Sequence, residues 1–299
     1  MDYKFQHKIK SAKEFEAQGK YLHAIQVYQL LIDEFPELPE PYINLADIYQ
    51  LNGKKKSAEK ILKLILDRQP DNYEIKLYYI QFLMHNKEWD KALNLLLSLS
   101  IEDPFASYLT GYCYFNLNDY ELAKVHLLSF IISDEEPELI HDAYLIIAKL
   151  ELELNQYENA LKYAKKAEVM YDDDWELKLI IAKIYYYLKM YTHSSDSINK
   201  GIKINKKEAA LYKWAGKINL KLDNFNKAKK CFEKHIDLND DITSNDYAYL
   251  ADACLKSGKL NEALNFYNTA IKLDPKNKLA LEGKSTTNDL LNNKLASDV

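Results

Sequence analysis

Small side chains recur along the chain at a nearly constant interval, and apolar residues follow each of them at helical spacing. Successive members of one column are 34, 34, 31, 37, 34, 34 and 35 residues apart: Ala24, Ala58, Ala92, Ala123, Ala160, Ser194, Ala228 and Ala263. A second column, twelve residues earlier, is also mostly small: Ala12, Ala46, Ile80, Gly111, Ala148, Ala182, Gly216 and Ala251. Because helices approach closely where side chains are small, each interval predicts a pair of packed helices.

Bulky residues fill other apolar positions of each interval. When eight units are numbered from residues 5, 39, 73, 104, 141, 175, 209 and 244, positions 11 and 17 are largely aromatic, as at Tyr49, Tyr114, Tyr157 and Tyr191. One helical hairpin cannot bury both of its apolar faces, so consecutive units are expected to stack. The sequence therefore predicts an all-α protein, a single solenoid over residues 1–299, in which residues 278–299 form a carboxy-terminal capping helix and tail.

Residues that break regular structure are scarce. Glycine and proline contribute 7 residues each, too few for the many turns of a β-sandwich or the glycine-rich loops of a dinucleotide-binding fold. Several of them lie where a helical hairpin needs a turn, as in Asn52-Gly53 and Ser257-Gly258 within units, or at Pro70 and Pro275 between units. We therefore expect short helices joined by compact turns.

The unit resembles the tetratricopeptide repeat (TPR), a helical hairpin of 34 residues. Two stretches match its pattern closely: Tyr-Ile-Asn-Leu-Ala-Asp-Ile-Tyr (42–49) with Ala58 and Pro70, and Tyr-Ala-Tyr-Leu-Ala-Asp-Ala-Cys (247–254) with Ala263 and Pro275. Eight such repeats cover residues 5–277. The resemblance implies a right-handed superhelical α-solenoid of antiparallel helix hairpins. It also implies a scaffold or adaptor that binds a peptide segment of a partner protein in a concave groove, mainly through positions 2, 5, 9 and 12 of each unit.

The fourth unit carries aromatic residues at all four of these positions: Phe105, Tyr108, Tyr112 and Phe115. Spacings of 3, 4 and 3 put them on one stripe of a helix, which we call the aromatic stripe. Since the resemblance directs these positions into the groove, we expect the stripe to anchor an apolar part of the partner. Packing between helices is the alternative role, above all for Tyr108 and Phe115.

Lysine occupies position 9 in three successive units, at Lys149, Lys183 and Lys217. Lys213 precedes Lys217 by one helical turn, and Tyr186 stands at position 12 of the sixth unit. Residues 203–234 contain 10 lysines and 3 acidic residues. We expect these residues to belong to the partner-binding surface, the lysines steering an acidic segment of the partner into the groove. A solvated face of a lysine-rich chain is the alternative.

No motif for catalysis or cofactor binding stands out. Asp172-Asp173-Asp174-Trp175-Glu176 superficially matches a metal-binding motif, but no second acidic cluster completes it, and we interpret the stretch as a helix cap. The three cysteines, at 113, 231 and 254, show no CxxC or Cys/His clustering, so we expect them to be buried apolar residues. The prediction is therefore no enzyme activity, no metal and no cofactor.

The remaining totals concern location and partner class. The amino terminus lacks the pattern of a secretory signal, and no apolar stretch is long enough to span a membrane, so we expect a cytoplasmic protein. Two alternatives to foreign-peptide binding stay open: homo-oligomeric assembly through the groove, and a helical repeat that binds nucleic acid. A net charge of −5 and a single arginine, Arg68, disfavour nucleic acid.

Overall fold

The computed structural model of the protein describes residues 3–99, 103–133 and 137–297. In these ranges the backbone forms seventeen α-helices and no strand. They are α1 (Tyr3–Ala17), α2 (Tyr21–Glu34), α3 (Pro39–Leu51), α4 (Lys55–Arg68), α5 (Tyr73–His85), α6 (Trp89–Leu97), α7 (Pro104–Asn116), α8 (Tyr120–Ser133), α9 (Pro137–Glu153), α10 (Tyr157–Met170), α11 (Trp175–Tyr187), α12 (Tyr191–Ile204), α13 (Ala209–Lys221), α14 (Phe225–Leu238), α15 (Ser244–Lys256), α16 (Leu260–Leu273) and α17 (Lys278–Ser297). The predicted all-α class is confirmed.

The two helices of each hairpin are joined by the same turn. Position 15 of every unit has a positive φ, between 56° and 79°, at Gly19, Gly53, Lys87, Asn118, Asn155, Lys189, Asp223 and Gly258. The next residue donates its N–H to the carbonyl of position 11, as Lys54 does to Tyr49 at 2.8 Å and Met190 to Tyr185 at 2.8 Å. This left-handed residue with its bond back across the turn ends the first helix and fixes where the second begins.

The two small-residue columns lie where the helices of a hairpin cross. Alanines of both columns, such as Ala24 and Ala182, are fully buried. A Cβ added at Gly216 would lie 2.5 Å from the Phe232 ring, and one at Gly111 would lie 2.7 Å from Leu127. The predicted close approach is therefore confirmed, and the side chain of the second helix occupies the space that a Cβ would take.

The described residues divide into two compact units, one ending at Phe130 and the other beginning at Ile131. In the first unit, each helix from α1 to α7 packs against the next. Its core includes Phe5, Tyr28, Leu62 and Phe82. The single solenoid over 1–299 stays a prediction, and residues 298 and 299 of its tail lie outside the described residues.

In the second unit, helices also contact across two positions. The odd-numbered helices α9, α11, α13, α15 and α17 each contact the next of their set, while α10, α12, α14 and α16 pair with them from the other side. We call the face formed by the odd-numbered helices of this unit its inner face. α17 packs on α15 and α16 and buries Ala280 and Thr287, so it covers the apolar surface of the last hairpin.

Candidate functional site

In five of the units, the residue at position 9 contacts the next unit at one of two positions. Two lysines at position 9 pair with a glutamate at position 2: Lys13 with Glu40 at 2.7 Å and Lys149 with Glu176 at 2.8 Å. Three other residues at position 9 meet an aromatic ring at position 6: Asp47 with Tyr78, Lys183 with Trp214, and Lys217 with Tyr249. All five pairs lie within one or the other compact unit. The first helices of successive hairpins are thus connected through the positions from which the sequence predicts ligand contacts.

The predicted row of lysines therefore has members of two kinds. Lys149 is engaged by Glu176. Lys183 and Lys217 form no ion pair with any carboxylate in the described ranges; each ammonium instead lies over aromatic rings. An anion can therefore reach these two lysines without displacing a carboxylate.

Lys213 is also engaged, at the edge of a buried ionic cluster. Its ammonium lies 2.7 Å from Oδ1 of Asp246, a residue that is 1% exposed. His235 places Nε2 at 3.1 Å from the same oxygen and Nδ1 at 3.0 Å from the carbonyl of Ala209. The His235 ring thus lies between a backbone carbonyl and a buried carboxylate.

Asp246 also completes the amino-terminal cap of α15. Its Oδ2 accepts from the backbone N–H of Thr243 at 3.0 Å and from the Thr243 hydroxyl at 2.7 Å. Burial raises the pKa of this carboxyl, but the contacts from His235, Lys213 and Thr243 outweigh burial and hold the pKa well below its usual range. Asp246 therefore stays ionised, and its buried carboxylate holds the ammonium of the partly exposed Lys213 in place.

Lys183, Trp214, Lys217 and Tyr249 form what we call the lysine–ring cluster. The Lys217 ammonium lies 4.7 Å from the centroids of both the Trp214 and the Tyr249 rings, and that of Lys183 lies 5.4 Å from Trp214. All four side chains are half-buried. Burial lowers the pKa of Lys183, and burial together with the charge of Lys213 lowers that of Lys217. Contacts with ring faces stabilise the two charges only in part.

Tyrosines extend the cluster along the inner face. Tyr186 and Tyr187 meet Trp214 edge-on, with ring centroids 5.5 and 6.0 Å away. A cavity of about 330 Å³ opens beside these rings, lined by Tyr186, Tyr187, Trp214, Lys217, Leu220, Lys221, Tyr249, Asp252, Lys256 and Leu279. The predicted residues Tyr186 and Lys217 therefore share a cavity, and Lys183 contacts one of its walls.

The aromatic stripe lies in the first unit, where each of its rings is half-buried and contacts another ring. Tyr108 stacks on Phe105 at 6.3 Å and also meets the buried Phe130 of α8 at 5.3 Å. Tyr112 meets the Trp89 ring edge-on at 5.8 Å, and Phe115 meets Tyr120 at 6.0 Å. The stripe thus contributes to packing within its hairpin and against the preceding one, and part of each ring stays exposed; its role as an anchor stays a prediction.

Sequence reasoning missed the other three aromatic rings of the cavity, Tyr187, Trp214 and Tyr249. They stand at position 13 of the sixth unit and position 6 of the seventh and eighth. Positions 2, 6, 9 and 13 are separated by 4, 3 and 4 residues, so they share a helix face just as 2, 5, 9 and 12 do. The sequence feature that could have identified these rings is the recurrence of a large aromatic residue at position 6, as Tyr78, Trp214 and Tyr249.

The acidic stretch at 172–176 caps a helix, as predicted. Asp174 accepts the N–H of Glu176 at 2.8 Å at the start of α11 and lies 3.3 Å from His141. Asp172 pairs with Lys178, a buried lysine that also donates to Glu168 at 2.7 Å. Across the described residues, no three His, Cys, Asp or Glu side chains are grouped to hold a metal ion, and no helix there has the length and apolarity to cross a membrane.

Comparison with solved structures finds the same kind of fold in other proteins. A chain of the APC/C hetero-tetramer Cut9–Hcn1 matches with a TM-score of 0.66 at 13% identity, over 89% of this chain and 52% of that one, so this chain spans about half its length. MamA matches with a TM-score of 0.50 at 18% identity, over 56% of this chain and 95% of that one. TTC0263, a TPR protein of Thermus thermophilus, matches with a TM-score of 0.47 at 19% identity, over 62% and 98%.

Sequence comparison gives the family. Among curated proteins, no sequence matches this chain. Models of the tetratricopeptide repeat match it in both compact units, at residues 16–72, 56–111, 105–133, 209–242 and 244–277. These matches cover well over half of the chain, and the repeat of helix, left-handed turn and helix runs through all eight units. The chain therefore belongs to the tetratricopeptide repeat family.

Proposed function

We propose that the chain is a non-catalytic scaffold that captures an extended segment of a partner protein on the inner face of its second unit. The observation that carries the proposal is the lysine–ring cluster, where two half-buried ammonium groups form no ion pair in the described part of the chain. The family, whose members are generally scaffolds for protein interaction, supports the general role. Acidic groups of a bound segment would supply the missing counter-charges.

The aromatic stripe is the candidate anchor of the first unit. Tyr112 and Phe115 expose part of their rings beside Trp89 and Tyr120. Rings held by neighbouring rings present apolar area at a small cost in side-chain entropy, which favours their use as binding anchors. We propose that the stripe binds apolar side chains of the partner.

A protein partner is the class that the comparison supports. The Cut9–Hcn1 structure is a hetero-tetramer, so a related fold there assembles with another polypeptide. The likeness in fold is an analogy and does not name a partner for this chain.

Affinity capture with matched variants tests the proposal. We would compare the wild type with Lys183→Glu and Tyr112→Ala, and use Lys230→Glu as the control, because Lys230 is exposed on α14 of the opposite layer. The same proteins should be retained by the wild type and the control and lost from the two variants. Thermal unfolding should shift by less than about 2 °C, since these are partly exposed side chains.

Three results would count against the proposal. Equal capture by all four proteins would show that the assigned surface does not bind the partner. A loss of capture that parallels a loss of thermal stability would assign Lys183 and Tyr112 to packing. A mass that rises with concentration, and falls back in the Lys183→Glu variant, would assign the surface to self-association.

A further inference from the structure

The cavity beside the lysine–ring cluster has an unusual combination of walls. Aromatic rings from α11, α13 and α15 form one side, and Leu220 and Leu279 add apolar surface. Its volume of about 330 Å³ is at the lower end of the range for ligand pockets. Such a space fits one bulky side chain with its flanking backbone better than a whole folded element.

The charges around the cavity are unbalanced. Of the lining residues, Asp252 is engaged by Lys256 at 3.1 Å, one helical turn away. Lys217 and Lys221 have no ion-pair partner among the described residues, and Lys183 adds a third such ammonium through its contact with Trp214. Three ammonium groups without an ion pair among the described residues thus lie in or beside a cavity walled partly by aromatic rings.

The contacts with aromatic rings determine where the lysine ammonium groups lie when a ligand binds. The Lys217 ammonium lies 4.7 Å from two ring centroids, so rings on two sides hold it near one place. Partial burial strengthens its attraction to an incoming anion, because fewer waters compete with the ligand. A carboxylate at this point would form a charge-assisted hydrogen bond to an ammonium already in position.

The composition of the chain disfavours nucleic acid. The chain has a net charge of −5, whereas proteins that bind nucleic acid neutralise its phosphates with an excess of clustered positive charge. The chemistry therefore favours carboxylates on a polypeptide.

We propose that this cavity binds a short acidic segment of a partner protein, with carboxylates on Lys183, Lys217 and Lys221 and one bulky apolar side chain against Trp214 and Tyr249. The proposal rests on the proposed function, since it names the chemistry of the segment that the inner face captures. It predicts that both features of the segment are needed, because the ring walls and the ammonium groups border the same space.

Fluorescence anisotropy with labelled synthetic peptides tests the proposal on the full chain. The probe is a seven-residue peptide, Glu-Asp-Glu-Phe-Glu-Asp-Glu, compared with a version in which Gln and Asn replace the acids and a version in which Ala replaces Phe. We expect each replacement to weaken binding at least tenfold. Binding of the acidic probe should also fall as salt is raised from about 50 to 300 mM, because the lysines are accessible to solvent ions.

Variants locate the site. Lys183→Gln/Lys217→Gln should weaken binding of the probe at least tenfold, whereas Lys227→Gln/Lys230→Gln, the same loss of charge on the exposed face of α14, should change it less than twofold. Tyr249→Phe keeps the ring and should bind as the wild type does, whereas Tyr249→Leu should weaken binding at least fivefold. Circular dichroism melts identify any variant that loses its fold. If Tyr249→Leu does so, the peptide in which Ala replaces Phe still tests the contact with the aromatic rings.

Several outcomes would overturn the proposal. Equal binding of the acidic and amide peptides would show that the carboxylates do not contribute to binding. Equal losses in the two double variants would show that binding depends only on the net charge of the protein. If a twelve-nucleotide oligo(U) binds more tightly than the probe, and the Lys183→Gln/Lys217→Gln variant loses this binding, the ligand of the cavity is nucleic acid and not a peptide. If the peptides fail while Lys183→Glu still abolishes affinity capture, the acidic chemistry is wrong and the scaffold stands; if the peptides bind and capture is unaffected by Lys183→Glu, the scaffold proposal fails instead.

Discussion

Replacing the buried Asp246 with Asn tests whether the ionic cluster under the inner face stabilises the last two hairpins. Asp246 is 1% exposed and joins α15 to Lys213 of α13 and His235 of α14. Asn has nearly the same shape and can keep its hydrogen bonds to Thr243, but it leaves the Lys213 ammonium and the His235 ring facing a neutral amide. The perturbation therefore removes the negative charge and little else.

The expected loss follows from the contacts. Removing one partner of a buried charged pair destabilises a protein by about 3–5 kcal/mol, and the retained cap at Thr243 puts Asp246→Asn near the lower end, about 3 kcal/mol. For a unit of this size that corresponds to a fall in Tm of about 6–12 °C. Urea denaturation followed by circular dichroism measures the change, and Asp241→Asn, the same chemical change at an exposed neighbour, should change stability by less than about 0.5 kcal/mol.

The pH dependence gives a second, independent reading. The folded-state pKa of Asp246 lies below its ordinary value, so its stabilisation is present above the unfolded pKa of about 3.9 and is lost as the pH falls through the folded pKa. The gap in stability between wild type and Asp246→Asn should hold from about pH 7 to 5 and shrink at lower pH. Equal urea midpoints at pH 7, or a gap that widens in acid, would refute the assignment of Asp246 as an ionised anchor.

Three further substitutions test the turn, the helix crossing and the lysine–ring cluster. Lys189→Gly should stabilise the protein by about 0.5–1 kcal/mol in urea denaturation, because φ is 60° there; Lys189→Ala keeps a Cβ and should show no gain. Gly216→Ala should destabilise by about 1–3 kcal/mol in the same assay, since its Cβ would lie 2.5 Å from the Phe232 ring; an unchanged midpoint would contradict the close crossing. Ala210→Glu should pair with Lys183 and weaken binding of the acidic probe at least fivefold, whereas undiminished binding would show that Lys183 remains accessible.

Much of the fold could be predicted because its determinants are local. The small-residue columns mark helix crossings, and a ring such as Phe232 fills the space opposite Gly216. The turn was harder to see in full: Gly53 and Asn118 are obvious left-handed residues, but Lys87 and Lys189 adopt the same φ without any preference for it. At those positions the packing of two helices imposes the turn that glycine provides elsewhere.

The candidate site was harder to predict because it depends on contacts between units. Position 9 reads as a simple row of lysines, yet Lys149 is neutralised by a glutamate 27 residues later. Lys213, at position 5, is likewise neutralised by a buried aspartate 33 residues later. The rings that hold Lys183 and Lys217 stand at a position that the family pattern does not single out. Periodicity within one helix indicates which residues share a face, but it does not indicate what the next helix places against that face.

Position 2 of the following unit explains which lysines remain available. Where it is Glu40 or Glu176, the preceding lysine forms an ion pair. Where it is Ala210 or Asn245, the preceding lysine forms no ion pair within the described ranges and lies over the ring at position 6 instead. One residue per unit thus decides whether a position-9 lysine contributes to the stacking of hairpins or remains on the inner face as a binding group. The two units that follow Lys183 and Lys217, with Ala210 and Asn245 at position 2, are adjacent, which is why these two lysines lie close to the same cavity.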